Sequence, residues 1–253
     1  MHRLIAPALV ALAMCGGPFA ASAQSFSDSQ RGEIETIIKN YLLAHPEVLE
    51  DANNELSKRK AEAEEKKHQA TIAENAETIY NSPRGVTLGN KDGDVTFVEF
   101  FDYNCGYCKR AMADMLDLMK TDQKLKVVLK EFPVLSQGSV EAAQVAVAVR
   151  MQDPSGKKYL DFHQKLLGGR GPADKARALA VAKDVGLDMA KLEKDMASPE
   201  AKATIEENFK LAEDMGMNGT PSYVIGKQIV VGAVGLDGLK EKIGIARCGK
   251  ATC

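Results

Sequence analysis

From residue 82 onward, short apolar runs alternate with longer segments whose apolar residues recur every three or four positions. Short apolar runs are typical of buried strands, and the longer repeats are typical of amphipathic helices. The pattern predicts strands at 85–89, 95–101, 125–132, 222–225 and 228–231, and a final helix at 236–245. Only Thr96 and Glu99 interrupt the apolar run at 95–101, so this strand is expected at the centre of the sheet, with 85–89 at an edge.

Helical periodicity fills the rest of this region. A helix is predicted at 105–119, where Ala111, Met115 and Met119 share one face. Five more helices are predicted within 139–215, where a glycine-rich segment at 168–172 makes one of the breaks. The order β, α, β, helical block, β, β, α predicts an α/β fold, a mixed sheet with helices on both faces. Without the all-helical insertion at about 139–215, this order has the outline of a thioredoxin-like fold.

The segment at 24–80 has a different pattern and is expected to form an N-terminal helical region ahead of a main domain at 81–253. Its first part carries an apolar stripe at helical spacing, formed by Ile34, Ile37, Ile38, Tyr41 and Leu42. This stripe is too small for an independent core, so residues 26–50 are expected to pack against a copy of the chain or against the main domain. Residues 55–77 are almost all charged or Ala, which predicts a solvated helix or a flexible linker.

The first residues are typical of an export signal. Arg3 is followed by apolar or small residues at 4–19 and by an A-x-A cleavage site at 21–23, which predicts a signal peptide at 1–23. A lipid anchor on Cys15 is the weaker alternative, because bulky Met14 stands where a small residue should precede a lipidated cysteine. The net charge of −2, from 33 basic and 35 acidic residues, leaves no basic footprint and predicts no nucleic-acid partner.

Cys105 and Cys108 form a C-x-x-C motif between a predicted strand and a predicted helix. The amide groups and the dipole of a helix N-terminus favour a thiolate, so Cys105 is expected to attack disulfides and the more buried Cys108 to resolve the mixed disulfide. A structural disulfide or half of a zinc site with Cys248 and Cys253 is the alternative. The histidines are few and form no cluster with the cysteines along the sequence, and we predict neither a metal nor a cofactor.

Glu99 is the second candidate for the chemistry, because it lies in an apolar strand six residues before Cys105. A buried carboxylate has a raised pKa and can exchange a proton with the dithiol as it cycles. The alternative is a carboxylate paired with Lys130 of the neighbouring strand. Pro221 opens a later strand, and from the residues alone the Thr220–Pro221 bond could be trans or cis.

Three segments carry a family resemblance. Residues 97–109, including F-D-Y-N-C-G-Y-C-K, together with K-E-F-P-V-L at 130–135 and G-T-P-S-Y at 219–223, resemble the DsbA-type thiol:disulfide oxidoreductases. The N-terminal helical region resembles that of the ScsC/Com1-like branch. The resemblance covers about 82–247 and implies a thioredoxin fold, a periplasmic location and a cis Thr220–Pro221 bond facing the dithiol. It also implies that the backbone of Thr220 pairs with the substrate chain.

The resemblance sets the expected function and partners. We expect a periplasmic oxidoreductase of protein disulfides, acting on unfolded or misfolded exported proteins and exchanging electrons with a DsbD-like reductase or a DsbB-like oxidase in the membrane. Gly106 and Tyr107, expected at the substrate-binding surface, replace the Pro-His pair of the strong oxidant and predict a less oxidising potential.

The direction of the reaction depends on assembly. Association through residues 26–50 into a homo-oligomer, with a trimer as one candidate, would favour a disulfide isomerase. A DsbA-like dithiol oxidase and a copper(I)-binding protein of copper tolerance are the alternatives. Cys248 and Cys253 are expected to close a small structural disulfide ring at the C-terminus, with a second redox pair as the alternative.

Overall fold

The computed structural model describes residues 26–253, so the predicted signal peptide lies outside the described residues. The described chain divides into two units, the first ending at Lys58 and the second covering Arg59–Cys253. In the first unit, α1 (Asp28–Ala44) begins with a capping box, in which the Ser27 side chain accepts the backbone N–H of Gln30 and the Gln30 side chain accepts that of Ser27. The long α2 (Glu47–Glu74) starts in this unit and ends in the second.

The first unit has no core of its own among its described residues. Helix α1 buries none of its residues, although its sequence carries the apolar stripe. Ile37 is 67% exposed and Leu43 is 71% exposed. These apolar side chains therefore remain available for a partner.

The second unit is built around a five-stranded mixed sheet, as the sequence predicts. Its strands are β1 (Val86–Gly89), β2 (Val95–Phe101), β3 (Leu125–Glu131), β4 (Ser222–Ile225) and β5 (Gln228–Val231). Their order is β1-β3-β2-β4-β5, so β2 is central and β1 lies at an edge. The β2–β3 pair is parallel, and the other pairs are antiparallel.

Helices cover both faces of the sheet. The helices of this unit are α3 (Ala76–Tyr80), α4 (Gly106–Thr121), α5 (Gln137–Gln152), α6 (Lys157–Gly168), α7 (Lys175–Asp184), α8 (Met189–Met196), α9 (Pro199–Asp214) and α10 (Gly235–Cys248). The insertion between β3 and β4 is the all-helical block α5 to α9. The predicted fold class, an α/β thioredoxin-like fold with a helical insertion and a helical N-terminal region, is confirmed.

The alternation of side chains along β2 separates two apolar cores. Phe97 and Phe101 point into the core that contains both site cysteines. Val98 and Phe100 point into a second core, which also receives Ile72 and Ile79 from the end of α2 and from α3. Since successive strand residues face opposite sides, the position of a residue in β2 decides which core it reaches.

Hydrogen bonds hold the short helix α3 on the sheet. The buried Lys130 ammonium donates to the carbonyl of Thr78 at 3.0 Å. Lys126 donates to the carbonyl of Tyr80 at 2.8 Å, and the Tyr80 hydroxyl donates to the carbonyl of Gly226. The last residues before β1 are therefore held on the second core. Between residues 26 and 253, no helix is both long and apolar enough to cross a membrane.

Candidate active site

Cys105 is the N-cap of α4. The backbone N–H of Cys108 donates to its sulfur at 3.2 Å, which replaces the hydroxyl or carboxylate oxygen that usually caps a helix. Cys105 is 6% exposed, whereas Cys108, one turn into the helix, is completely buried. Both are free thiols. The first sulfur is thus the one that a substrate can reach.

The dithiol faces the loop before β4. The Thr220–Pro221 bond is cis, as the family resemblance implies. The Cys105 sulfur lies 3.2 Å from the carbonyl oxygen of Thr220, to which it donates when it carries its proton. The helix α4 and the cis-proline loop therefore meet at the reactive sulfur, although they are more than a hundred residues apart in sequence.

The two cysteines have opposite electrostatic environments. A hydrogen bond from the Cys108 thiol, aided by contacts with Thr220 and with backbone N–H groups, lowers the pKa of Cys105 to about 5. Burial is the main cause that raises the pKa of Cys108 above its ordinary value. At neutral pH, Cys105 is the thiolate and Cys108 keeps its proton.

Glu99 lies under the dithiol. It shares a face of β2 with Phe97 and Phe101, the face that packs against both cysteines. Glu99 is 3% exposed, and burial, followed by the charges of Cys105 and Asp114, raises its pKa to about 8. The charge of Glu99 in turn raises the pKa of Cys108.

The alternative pairing of Glu99 with Lys130 is wrong. In the parallel register Glu99 lies beside Leu129, so Lys130 is one residue out of step and points to the other face of the sheet. There its ammonium bonds to Thr78 and lies 3.9 Å from Glu207.

The residues just before Cys105 form a hydrogen-bonded loop. The buried carboxylate of Asp102 accepts the backbone N–H of Asn104 at 2.7 Å and that of Leu135 at 3.0 Å. The Asn104 amide donates to the carbonyl of Ala173 at 2.8 Å and accepts its N–H at 2.7 Å. Sequence reasoning assigned no role to these two residues. An Asp directly after a strand, two residues before an Asn, is the turn signal that would have pointed to them.

Gly106 and Tyr107 form the outer surface between the cysteines. A side chain at Gly106 would meet no atom within 4 Å. The Tyr107 ring is 58% exposed, and the Arg110 guanidinium lies 4.5 Å from its centroid. This surface is open to a large partner.

A second buried acid lies on the insertion side of the same core. The Tyr159 hydroxyl donates to Glu131 at 2.5 Å, and burial raises the pKa of Glu131 to about 8. His163 packs on Phe101 with ring centroids 4.6 Å apart, and burial lowers its pKa to about 3. His163 is therefore a neutral packing residue.

Cys248 and Cys253 are joined by a disulfide. Cys248 ends α10, and Gly249 follows in the left-handed conformation with φ of 79°. The guanidinium of Arg247 bonds to Asp94 and Asp122, which anchors this end of α10. The pair lies at the C-terminal end of its helix, far along the sequence from the dithiol.

Fold and site together define a thioredoxin-fold dithiol protein, with a low-pKa cysteine at a helix N-terminus facing a cis-proline loop. Among residues 26–253, no three His, Cys, Asp or Glu side chains converge in a way that could hold a metal ion.

Comparisons with known families assign the chain. The profile of the DSBA-like thioredoxin domain matches residues 96–244, and that of the copper resistance protein ScsC N-terminal domain matches residues 30–63. The chain belongs to the DSBA-like thioredoxin-domain family, in its ScsC-like branch.

Solved structures support this assignment over most of the chain. A thioredoxin-like oxidoreductase from Silicibacter pomeroyi is 43% identical, with a TM-score of 0.64, and the match covers 68% of this chain and 96% of that one. A linker-deletion variant of Proteus mirabilis ScsC is 27% identical, with a TM-score of 0.66 and 89% and 98% covered.

The matches to curated relatives cover smaller shares of the two sequences. Disulfide bond formation protein D of Bacillus subtilis is 27% identical over 170 residues, which are 62% of this chain and 74% of that protein. A Na⁺/H⁺ antiporter NhaA 1 of Salinispora arenicola is 23% identical over 161 residues, and the chain spans only 24% of that protein's length.

Proposed function

We propose that the protein is a periplasmic thiol:disulfide oxidoreductase that acts on protein disulfides and works mainly as a disulfide isomerase. The single observation that carries the chemistry is the position of the Cys105 sulfur, 3.2 Å from the N–H of Cys108 and 3.2 Å from the carbonyl of Thr220. A stabilised thiolate next to a cis-proline loop can attack a disulfide held against that loop.

The chemistry follows from the two environments. The Cys105 thiolate attacks one sulfur of a substrate disulfide, which forms a mixed disulfide and releases the other substrate sulfur as a thiolate. In isomerisation, that thiolate or another substrate thiolate attacks the mixed disulfide, so the Cys105 thiolate is regenerated with no net electron transfer. Cys108 resolves a mixed disulfide that does not rearrange. Its thiolate attacks the Cys105 sulfur, the substrate leaves reduced by two electrons, and Cys105 and Cys108 become a disulfide.

Thr220 and Pro221 are the proposed substrate-binding residues, together with the open surface at Gly106 and Tyr107. The backbone of Thr220 can pair with an extended substrate segment as an added strand would. The exposed side chains of Val134 (39%) and Leu135 (55%), next to the Asp102 loop, add apolar surface. Unfolded or misfolded exported proteins expose extended apolar segments of this kind.

Glu99 is the proposed proton acceptor for Cys108. Its carboxylate lies on the cysteine side of β2, and Cys108 must lose its proton before it can attack. We expect the rate of resolution of a Cys105 mixed disulfide to rise as the pH passes through about 8, where Glu99 ionises. Glu99→Gln should abolish this inflection. Glu131→Gln is the matched control, because it removes a second buried acid with a pKa of about 8 on the insertion side.

Rapid-quench trapping of the mixed disulfide measures this rate as a function of pH. An unchanged inflection in Glu99→Gln, or one lost equally in Glu131→Gln, would remove Glu99 from the mechanism.

The isomerase direction rests on self-association through residues 26–50. The match to the ScsC N-terminal domain and the exposed apolar side chains of α1 support it. Several dithiols that face one captured substrate favour repeated attack on its disulfides over the single donation of a disulfide by an oxidase. Ile37→Asp should dissociate the oligomer and lower the refolding of scrambled ribonuclease, whereas Lys39→Asp, a polar position on the same helix, should change neither. Light scattering measures the first effect. A protein that is monomeric before any substitution would defeat the isomerase proposal.

A DsbA-like oxidase is the alternative direction, and it would accept electrons from substrates and pass them to a DsbB-like partner, whereas the isomerase needs a DsbD-like reductase. Trapping of thiols in cells with an alkylating agent distinguishes the two. Reduced Cys105 and Cys108 indicate an isomerase, and an oxidised pair indicates an oxidase.

Copper(I) binding is a second candidate, favoured by the family name of the matched N-terminal domain and by two adjacent soft thiols. A copper(I) titration that saturates at one ion per dithiol, together with slow reduction of insulin, would favour copper binding over catalysis.

A further inference from the structure

A cavity of about 270 Å³ opens beside Cys105 and is lined by Cys105, Lys109, Gly169, Gly171 and Pro172 among others. We propose that this cavity is a subsite for a carboxylate carried by the disulfide substrate close to its reacting sulfur. The inference rests on the proposed function and adds a substrate preference to it.

The far wall of the cavity, the glycine loop at 168–172, is held in a fixed position relative to Cys105. Ala173 directly follows this loop, and both of its backbone polar groups bond to the Asn104 side chain, at 2.8 and 2.7 Å. Asn104 precedes Cys105 in the chain. The Asn104 amide also donates to the Ser139 hydroxyl of α5 at 3.0 Å. The reactive sulfur and the loop opposite it therefore share one anchor.

Basic side chains donate hydrogen bonds to the backbone carbonyls of this loop. Lys109, in the first turn of α4, donates to the carbonyl of Gly169. Arg177 donates to the carbonyls of Arg170 and Gly171, the latter at 2.6 Å. In the described part of the chain, the backbone N–H groups of Gly169, Arg170 and Gly171 donate to no protein acceptor. The loop thus keeps its hydrogen-bond donors for another molecule and has its acceptors already used.

The charged residue in the lining of the cavity is basic, Lys109. Lys109, Arg110, Arg170 and Arg177 have no carboxylate oxygen within 4 Å among residues 26–253, although the whole chain carries a net charge of −2. The lining of the cavity contains no acidic residue. Basic groups without a carboxylate partner near a reactive site raise the local concentration of anionic substrates and speed their encounter.

The size of the cavity limits the ligand. At about 270 Å³ it lies just below the usual range for cofactor and drug-sized sites, so it suits one short side chain or part of a small peptide. Two sources supply such a carboxylate. One is an acidic residue beside the cysteine of a substrate polypeptide, and the other is glutathione in oxidised form.

The test measures the second-order rate constant with which the reduced full-length protein attacks four disulfides. They are oxidised glutathione, a short peptide disulfide with Glu beside each Cys, the same peptide with Gln, and neutral hydroxyethyl disulfide. Lys109→Gln should lower the ratio of anionic to neutral rates about threefold, because it removes one cation from the cavity. Lys120→Gln, at the exposed far end of the same helix, is the matched control and should leave the ratio unchanged.

The use of a ratio removes the effect of Lys109 on the reactivity of the Cys105 thiolate, which acts on all four disulfides alike. A ratio that falls for both anionic disulfides supports a subsite for acidic polypeptides, and one that falls for oxidised glutathione alone supports a subsite for glutathione. An unchanged ratio, or an equal fall in Lys120→Gln, would overturn the inference. No reaction with hydroxyethyl disulfide would instead refute the proposed function.

Discussion

The two cysteine pairs of this protein lie at opposite ends of two helices. Cys105 caps the N-terminus of α4, where N–H groups and the positive end of the helix dipole point at its sulfur. Cys248 ends α10, where the unpaired carbonyls and the negative end of the dipole disfavour a thiolate. The first pair is a free dithiol and the second a closed disulfide. The comparison shows that the position of a cysteine on a helix helps to decide its role. At the N-terminus it is a nucleophile, and at the C-terminus it forms a structural disulfide.

Removal of each cysteine pair in turn should give the largest difference in the rate of disulfide exchange. Cys105→Ser should lower the rate of disulfide exchange more than about 1,000-fold, because no other thiolate of low pKa lies in the site. The double variant Cys248→Ser/Cys253→Ser should change the rate less than about twofold. Insulin reduction and refolding of a scrambled substrate measure both. A large loss of activity in the double variant would make the second pair part of the catalytic machinery.

The difference in thiol ionisation comes next. In the fully reduced protein, alkylation of Cys105 should be half-maximal at a pH of about 5 and level above that value, because the thiolate is lost only as the pH falls through its pKa. Cys248, at a helix C-terminus where the dipole disfavours a thiolate, should react about 100-fold more slowly at pH 6. Mass spectrometry of peptides after timed alkylation measures both rates. Equal rates would refute the argument from helix ends.

Stability should depend on the second pair. Closing the ring between Cys248 and Cys253, which are five residues apart, stabilises the folded state by about 2 kcal/mol in the loop-entropy treatment. The double serine variant should therefore unfold roughly 5 °C lower in a thermal scan with Cys105 and Cys108 kept reduced in both proteins. An unchanged midpoint would mean that the ring braces only a frayed end.

The smallest expected effect is on the redox potential of the first pair. Tyr107→His should raise the potential by about 10–30 mV, because a histidine next to the thiolate favours the reduced form. Tyr107→Phe serves as the control and should leave it close to that of the parent protein. Equilibration with glutathione buffers measures the potential. A parent potential near −120 mV, that of the strong oxidant, would contradict the interpretation of the Gly-Tyr pair.

Much of this fold could be predicted from the sequence, because the apolar periods are strong. The strands at 95–101, 222–225 and 228–231 coincide with β2, β4 and β5, and the helical insertion begins and ends within two residues of its prediction. The end of α10 was placed three residues early, at 245. The apolar period stops there, but Gly249 in the left-handed conformation is the physical stop.

The candidate site was predictable only where chemistry marks single residues. Cys105, Cys108 and Pro221 stand out by type and position. The Glu99–Lys130 pairing failed because the register between two strands is a tertiary property, and a shift of one residue reverses the face. Asn104 and Ala173 meet only because the insertion folds back on the catalytic loop, and nothing local to either residue signals that contact.

The attachment of α3 to the sheet has a practical consequence for protein engineering. Ile72 and Ile79 fill the second core, and Thr78 and Tyr80 are bonded to β3 and to Gly226. A truncated enzyme that starts at residue 81 would leave a groove lined with apolar side chains, and the buried Lys130 ammonium would lose the Thr78 carbonyl that accepts its hydrogen bond, so it should aggregate. A fusion that joins a foreign oligomerisation module to the dithiol domain should place its junction upstream of Ile72.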